Sequence, residues 1–225
     1  MNEKRALIIK ADSDVCGHEI GMVENHFRFL GLQVYSESIS KEQGLDSIVR
    51  KYADIQMYFD YIYLCAHGNK YGFNINIEDV AKSTVPWFTF SELMCENDIL
   101  NHETIFLIAC CKGGLFRVAT DIMAICNKIN FVCGVDCKVR GWDLTTGFVV
   151  FIHHVESNQA SPTYAAEKAT LATNFPFVCH DRDNIEVLPQ YEKRQTELYK
   201  QLGWVNDEDE WVEQDPKIKE NAGVM

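Results

Sequence analysis

Apolar residues along this chain fall into short runs separated by polar turns, and the runs alternate between two periods. Arg5 to Lys10 (RALIIK), Tyr61 to Ala66 (YIYLCA) and Thr104 to Cys110 (TIFLIAC) are nearly continuous apolar or aromatic stretches of strand length. That is the pattern of strands covered on both faces. Gln33 to Ser36 and Asn130 to Val135 read as two further strands. Between the runs, apolar residues recur at three- and four-residue steps. These steps predict helices over Ile20 to Leu30, closed by Gly31, and over Gly44 to Tyr52, Phe88 to Asn97 and Leu115 to Ile125. Two more follow over Trp142 to Val155, with Asp143 expected as its N-cap, and over Tyr164 to Thr173. Strands alternating with helices predict an α/β fold, a mostly parallel sheet with helices on both faces. Nothing repeats internally and no Pro/Gly/Ser-rich linker divides the chain. The expectation is one domain over residues 1–204 and an acidic C-terminal tail over residues 205–225, which holds seven acids and two lysines.

Composition narrows the classes. No apolar run approaches the 18 or so residues of a membrane span, and MNEKRALIIKAD lacks the long apolar core of a secretory signal. The chain is therefore expected to be a cytoplasmic protein without membrane association. Its net charge of −12, with no cluster of Lys and Arg, disfavours direct binding to a nucleic-acid backbone. Nine cysteines, most of them within apolar segments, read as reduced thiols. Metal is not expected, because Cys133 and Cys137 have no matching second pair to complete a zinc site.

Ligand and catalytic residues of an open α/β sheet gather beyond the carboxyl ends of its strands. Two of those ends stand out here. One apolar strand finishes in Cys65-Ala66-His67-Gly68, and the next long one in Ala109-Cys110-Cys111-Lys112-Gly113-Gly114. If the two strands are neighbours, an imidazole and a thiol meet at one sheet edge. A thiol at neutral pH is only a few per cent ionised, and a nearby histidine can take its proton. Glycine after the histidine clears space for a carbonyl and leaves a backbone N–H able to stabilise an oxyanion. Taken singly, a cysteine or histidine at a strand end is more often a packing residue; the pairing is what points to chemistry.

His67-Gly68 and Ala109-Cys110, 43 residues apart between His67 and Cys110, resemble the dyad motifs of the clan CD cysteine peptidases, which include caspases, separase and CHAT domains. Among them the CHAT branch is most similar, through GVDCKVRGWDLTTGFVVFIHHV and SPTYAAEKATLA. The resemblance covers roughly residues 5 to 175. It implies a caspase-like three-layer α/β/α sandwich with a mostly parallel sheet, peptide-bond hydrolysis, and no metal or organic cofactor. His67 would be the base and Gly68 the backbone oxyanion donor. The spacing Ala-Cys-x-x-Gly assigns the nucleophile to Cys110, and the alternative caspase spacing assigns it to Cys111. It further implies a protein substrate, a protein activator or regulator, and a place in regulated processing, cell death or anti-phage defence. Acids near the sheet edge, Asp12, Asp14 and Asp136, are the expected substrate-binding residues and suggest cleavage after Arg or Lys.

Two other classes compete. A catalytically silent caspase-like domain would serve as a binding or scaffold module. A receiver-type signalling domain is suggested by the acidic ADSD after the first strand, but it needs an aspartate where Cys65-Ala66-His67 stands. The oligomeric state is not legible in the pattern.

Overall fold

The protein is described by a computed structural model at residues 3–11, 17–39, 44–75 and 83–184. All of these fall in the compact unit Met1–Ile185. The expected boundary at residues 204 and 205, with the acidic tail, lies outside the described residues.

Six strands form the central sheet in the order β2-β1-β3-β6-β7-β8: β1 (Arg5–Lys10), β2 (Gln33–Ser38), β3 (Phe59–Cys65), β6 (Leu100–Ala109), β7 (Ile129–Val135) and β8 (Phe177–Asp181). The first five pair in parallel, and β8 closes one edge antiparallel to β7. The inner strands are buried along most of their length, as their unbroken apolar sequences require. Helices α1 (Gly17–Phe29), α5 (Gly141–Asn158) and α6 (Pro162–Thr173) cover one face, packing Phe27, Phe148 and Phe151 against Tyr61, Tyr63 and Leu107. Helices α2 (Leu45–Asp54), α3 (Trp87–Glu96) and α4 (Phe116–Ile125) supply further apolar faces, and Phe90 of α3 packs edge-on against Phe106 of β6. The result is a three-layer α/β/α sandwich with a mostly parallel sheet, consistent with the expected caspase-like arrangement.

Two elements go beyond the expected set. A small antiparallel hairpin, β4 (Gly72–Ile75) and β5 (Ser83–Pro86), stands after β3, outside the main sheet. The edge strand β8 is half-exposed along most of its length, so it lacks the apolar run that marks a buried strand. One expected cap is corrected. Helix α5 starts at Gly141 with Arg140 as its N-cap, and Asp143 lies inside the first turn, bonded to Arg140 Nε at 2.9 Å. Its charge favours the positive helix end from within the turn rather than capping it from outside. No helix among the described residues is long and apolar enough to cross a membrane.

Strand order creates a switch point. From β1 the chain goes to one side for β2 and returns to the other side for β3. Open sheets of this kind leave a crevice beyond the carboxyl ends of the strands flanking that reversal.

Candidate functional site

Strands β3 and β6 are direct parallel neighbours, with Cys65 opposite Ala109 at their ends. The backbone N–H of Ala66 continues the ladder, donating to the Ala109 carbonyl at 3.3 Å. One residue past β6 comes Cys110, and two past β3 comes His67. Both line one cavity of about 220 Å³. Its apolar wall is made by Ala66, Ala109, Val139 and Leu144, and its thiols are Cys65, Cys110 and Cys111. The remaining polar group is the Glu19 carboxylate of α1.

The loop bearing His67 is held by the hairpin behind it. Gly68 bridges Phe73, and the two flanking hydrogen bonds run from Asn69 N–H to the Gly72 carbonyl at 2.9 Å and from Asn74 N–H to the His67 carbonyl at 2.8 Å. The pairing draws on Asn69 and Asn74, so the Gly68 amide is not spent on it. Phe73 anchors the hairpin, fully buried against Trp87 and Phe90. The Trp87 indole N–H donates to the Asn69 carbonyl at 3.0 Å, and Asn69 Oδ1 accepts from Tyr71 N–H at 2.8 Å. His67 itself stands exposed at the cavity rim.

Gly68 has to be glycine. A Cβ there would lie 2.5 Å from Cys110 Sγ, inside contact distance. The glycine backbone thus packs directly on the sulfur. The turn after Cys110 is equally tight. Lys112 adopts a left-handed φ of 64°, and Gly113 N–H returns to the Cys110 carbonyl at 3.2 Å. Gly114 N–H donates to the Val135 carbonyl at 2.8 Å, and Lys112 N–H to the Cys137 carbonyl at 3.0 Å, which ties the turn to the end of β7. His180 of β8 donates from Nε2 to the Gly114 carbonyl at 2.8 Å.

The two neighbouring thiols differ. Cys110 is 1% exposed. Burial, and then the proximity of Cys111 and Cys65, pushes its thiol well above the ordinary cysteine value, so it rests neutral. Cys111 is half-buried and points at the loop after β7, donating to the Val139 carbonyl at 3.7 Å.

Of the expected substrate-binding acids, Asp12 and Asp14 lie outside the described residues. Asp136 is exposed in the bend after β7 and does not line the cavity. Glu19 does, and the sequence pattern missed it because an acid in the first turn of a helix reads as a partner of its own helix dipole. Instead its carboxylate reaches across to the start of α5, where a Cβ on Gly141 would overlap both carboxylate oxygens. His180 was missed for a different reason, since the strand that carries it has no apolar run. No group of three or more metal-ligating side chains occurs among the described residues.

No protein-family model matches this chain, and no curated protein matches it either.

Proposed function

We propose that this chain is a cysteine endopeptidase of the caspase-like, CHAT-resembling kind, acting on one or a few protein substrates. The observation that carries the reading is the convergence of His67 and Cys110 on one cavity at adjacent strand ends, with the Gly68 backbone packed on the sulfur. In this reading His67 takes the Cys110 proton as the sulfur attacks the substrate carbonyl carbon. The Gly68 N–H stabilises the oxyanion that forms. The imidazolium then protonates the leaving amine, the C–N bond breaks and a thioester remains. Water, deprotonated by His67, hydrolyses the thioester and restores the thiol.

A neutral, covered Cys110 thiol favours an enzyme that is opened by a protein activator, in keeping with a regulated processing, cell-death or anti-phage defence pathway in the cytoplasm. The same burial favours one second reading, a catalytically silent binding module. The two separate in a cleavage assay. The protein is incubated with a denatured peptide library and new N-termini are identified by mass spectrometry. New termini that disappear with Cys110→Ala and with His67→Ala support the peptidase. Termini that persist in both variants contradict it; a wild type that cleaves only once cell extract is added, and only with Cys110 and His67 intact, remains the peptidase, and one that cleaves in neither condition favours the silent module.

A further inference from the structure

We infer that Cys133 of β7 and Cys179 of β8 form a reversible cross-strand disulfide, a modification site at the sheet edge that controls the turn behind Cys110. The effect on Cys110 chemistry rests on the peptidase reading; the disulfide itself does not. The first observation is register. Cys133 and Cys179 are direct partners in the antiparallel β7–β8 ladder, so both side chains stand on one face of the sheet. Directly opposed residues have Cα atoms about 4.5 or 5.5 Å apart, and a disulfide spans about 4.4–6.8 Å. The second observation is contact. The two thiols are hydrogen-bonded to each other, and Cys179 packs against the core cluster that holds Cys133. The third is access. Cys133 is 1% exposed, whereas Cys179 is half-buried on the outermost strand, so a small oxidant enters from the Cys179 side.

A peroxide is the oxidant that this access suits. The Cys179 sulfur, as thiolate, attacks one peroxide oxygen; the O–O bond breaks, and hydroxide leaves and takes up the thiol's proton as water. The Cys133 sulfur then attacks the sulfenic sulfur of Cys179. The S–O bond breaks, the S–S bond forms, and a second water leaves with the Cys133 proton. Two thiols and one peroxide thus give one disulfide and two waters. Opposed Cβ atoms stand about 4.5–5.5 Å apart and a disulfide holds them at about 3.5–4.5 Å, so closure draws the strands together. The strand that yields is β8, the last in the sheet order. A bond closed under such strain is readily reduced again. Its neighbours carry the pull to the turn after Cys110. Gly134, next to Cys133, packs its backbone on that turn, where a Cβ would come within 2.6 Å of Gly113 and Gly114. His180, next to Cys179, donates to the Gly114 carbonyl at 2.8 Å. Oxidation therefore displaces the Gly113-Gly114 turn and with it the setting of the Cys110 sulfur.

The test treats the full chain with hydrogen peroxide, alkylates the remaining thiols and maps disulfides by mass spectrometry of unreduced peptides. Cleavage before Asp136 separates Cys133 from Cys137. A Cys133–Cys179 link that dithiothreitol removes is the expected result. Its absence at peroxide doses that oxidise other thiols of the chain, or a link that dithiothreitol leaves in place, overturns the inference. Coupling to the turn is read first by NMR. The Gly113 and Gly114 amide signals should move on oxidation of wild type and hold their positions in Cys179→Ser. Signals that stay fixed in wild type, or move equally in Cys179→Ser, overturn the coupling. Reaction of Cys110 with a peptidyl acyloxymethyl ketone should slow by at least about fivefold in the oxidised wild type and recover with dithiothreitol. Cys179→Ser under the same peroxide should keep most of its rate, and an equal loss there overturns the control of Cys110. A reduced wild type that reacts with no ketone counts against the peptidase reading alone, because the disulfide map and the amide signals still decide this inference.

Discussion

At the scale of single residues, Gly68 is the position where geometry is least forgiving. The hydrogen of its Cα stands where a methyl would meet Cys110 Sγ at 2.5 Å, and Cys110 is itself buried. Gly68→Ala is therefore expected to displace the sulfur and suppress reaction with a substrate-like ketone by at least about tenfold. Its thermal midpoint should fall as well, because Cys110 is buried and an added methyl overpacks the site, so the rate is compared per folded molecule. Calorimetry beside adduct mass reads both. The meeting of His67 and Cys110 at one cavity was legible in the sequence because each follows an apolar run at a strand end. Glu19 was not, since its position on a helix says nothing about which other helix it reaches. The same limit applies to Asp136, whose place after a strand suggested the cavity and whose side chain faces solvent.

Elements carry the site as much as residues do. The β4–β5 hairpin sets the path of the His67 loop, and its anchor is one side chain, Phe73, enclosed by Trp87 and Phe90. Phe73→Ala should cost about 3–5 kcal/mol of stability, as large-to-small changes of a buried ring do. Because the hairpin backbone fixes the His67 carbonyl, activity should fall by more than the folded fraction alone explains. Urea unfolding and adduct rate, compared in the same preparation, check this; an unchanged rate per folded molecule would contradict it. Neither the hairpin nor β8 was visible beforehand. Both are short and partly exposed, and a run of four or five residues without sustained alternation does not separate from loop. The parallel strands were readable because burial on both faces demands unbroken apolar sequence. The start of α5 was misplaced by a tempting Asp143, when Arg140 supplies the extended residue before the first turn.

Over the whole molecule, several acidic groups sit where burial disfavours their charged form. Cys110 and Cys133 are pushed well above the ordinary thiol value, chiefly by burial, and Cys95 is pushed up to about 12 by burial and its contact with Cys126. Tyr61 and Tyr63 are raised for the same reason. In the folded chain these groups keep their protons while the unfolded chain begins to release them, near pH 8.5 for thiols and near 10 for tyrosines, on the order of the model-peptide values. Unfolding then releases protons, so stability is full below about pH 8.5 and declines as pH climbs through the folded values. The urea midpoint under reducing conditions is expected to be lower at pH 10 than at pH 7.5. A midpoint that is flat or rises across that interval would contradict the burial of these groups.

The central claim is that one sulfur and one imidazole, brought together by adjacent parallel strands, form a working pair. Its most direct test is the attachment site of a peptidyl acyloxymethyl ketone, mapped by peptide mass spectrometry in wild type and in the Cys110→Ala, Cys111→Ala and His67→Ala variants. A single adduct on Cys110, retained in Cys111→Ala and lost with Cys110→Ala and His67→Ala, is the predicted result. An adduct carried by Cys111, or one on Cys110 that forms as fast without His67, would contradict it.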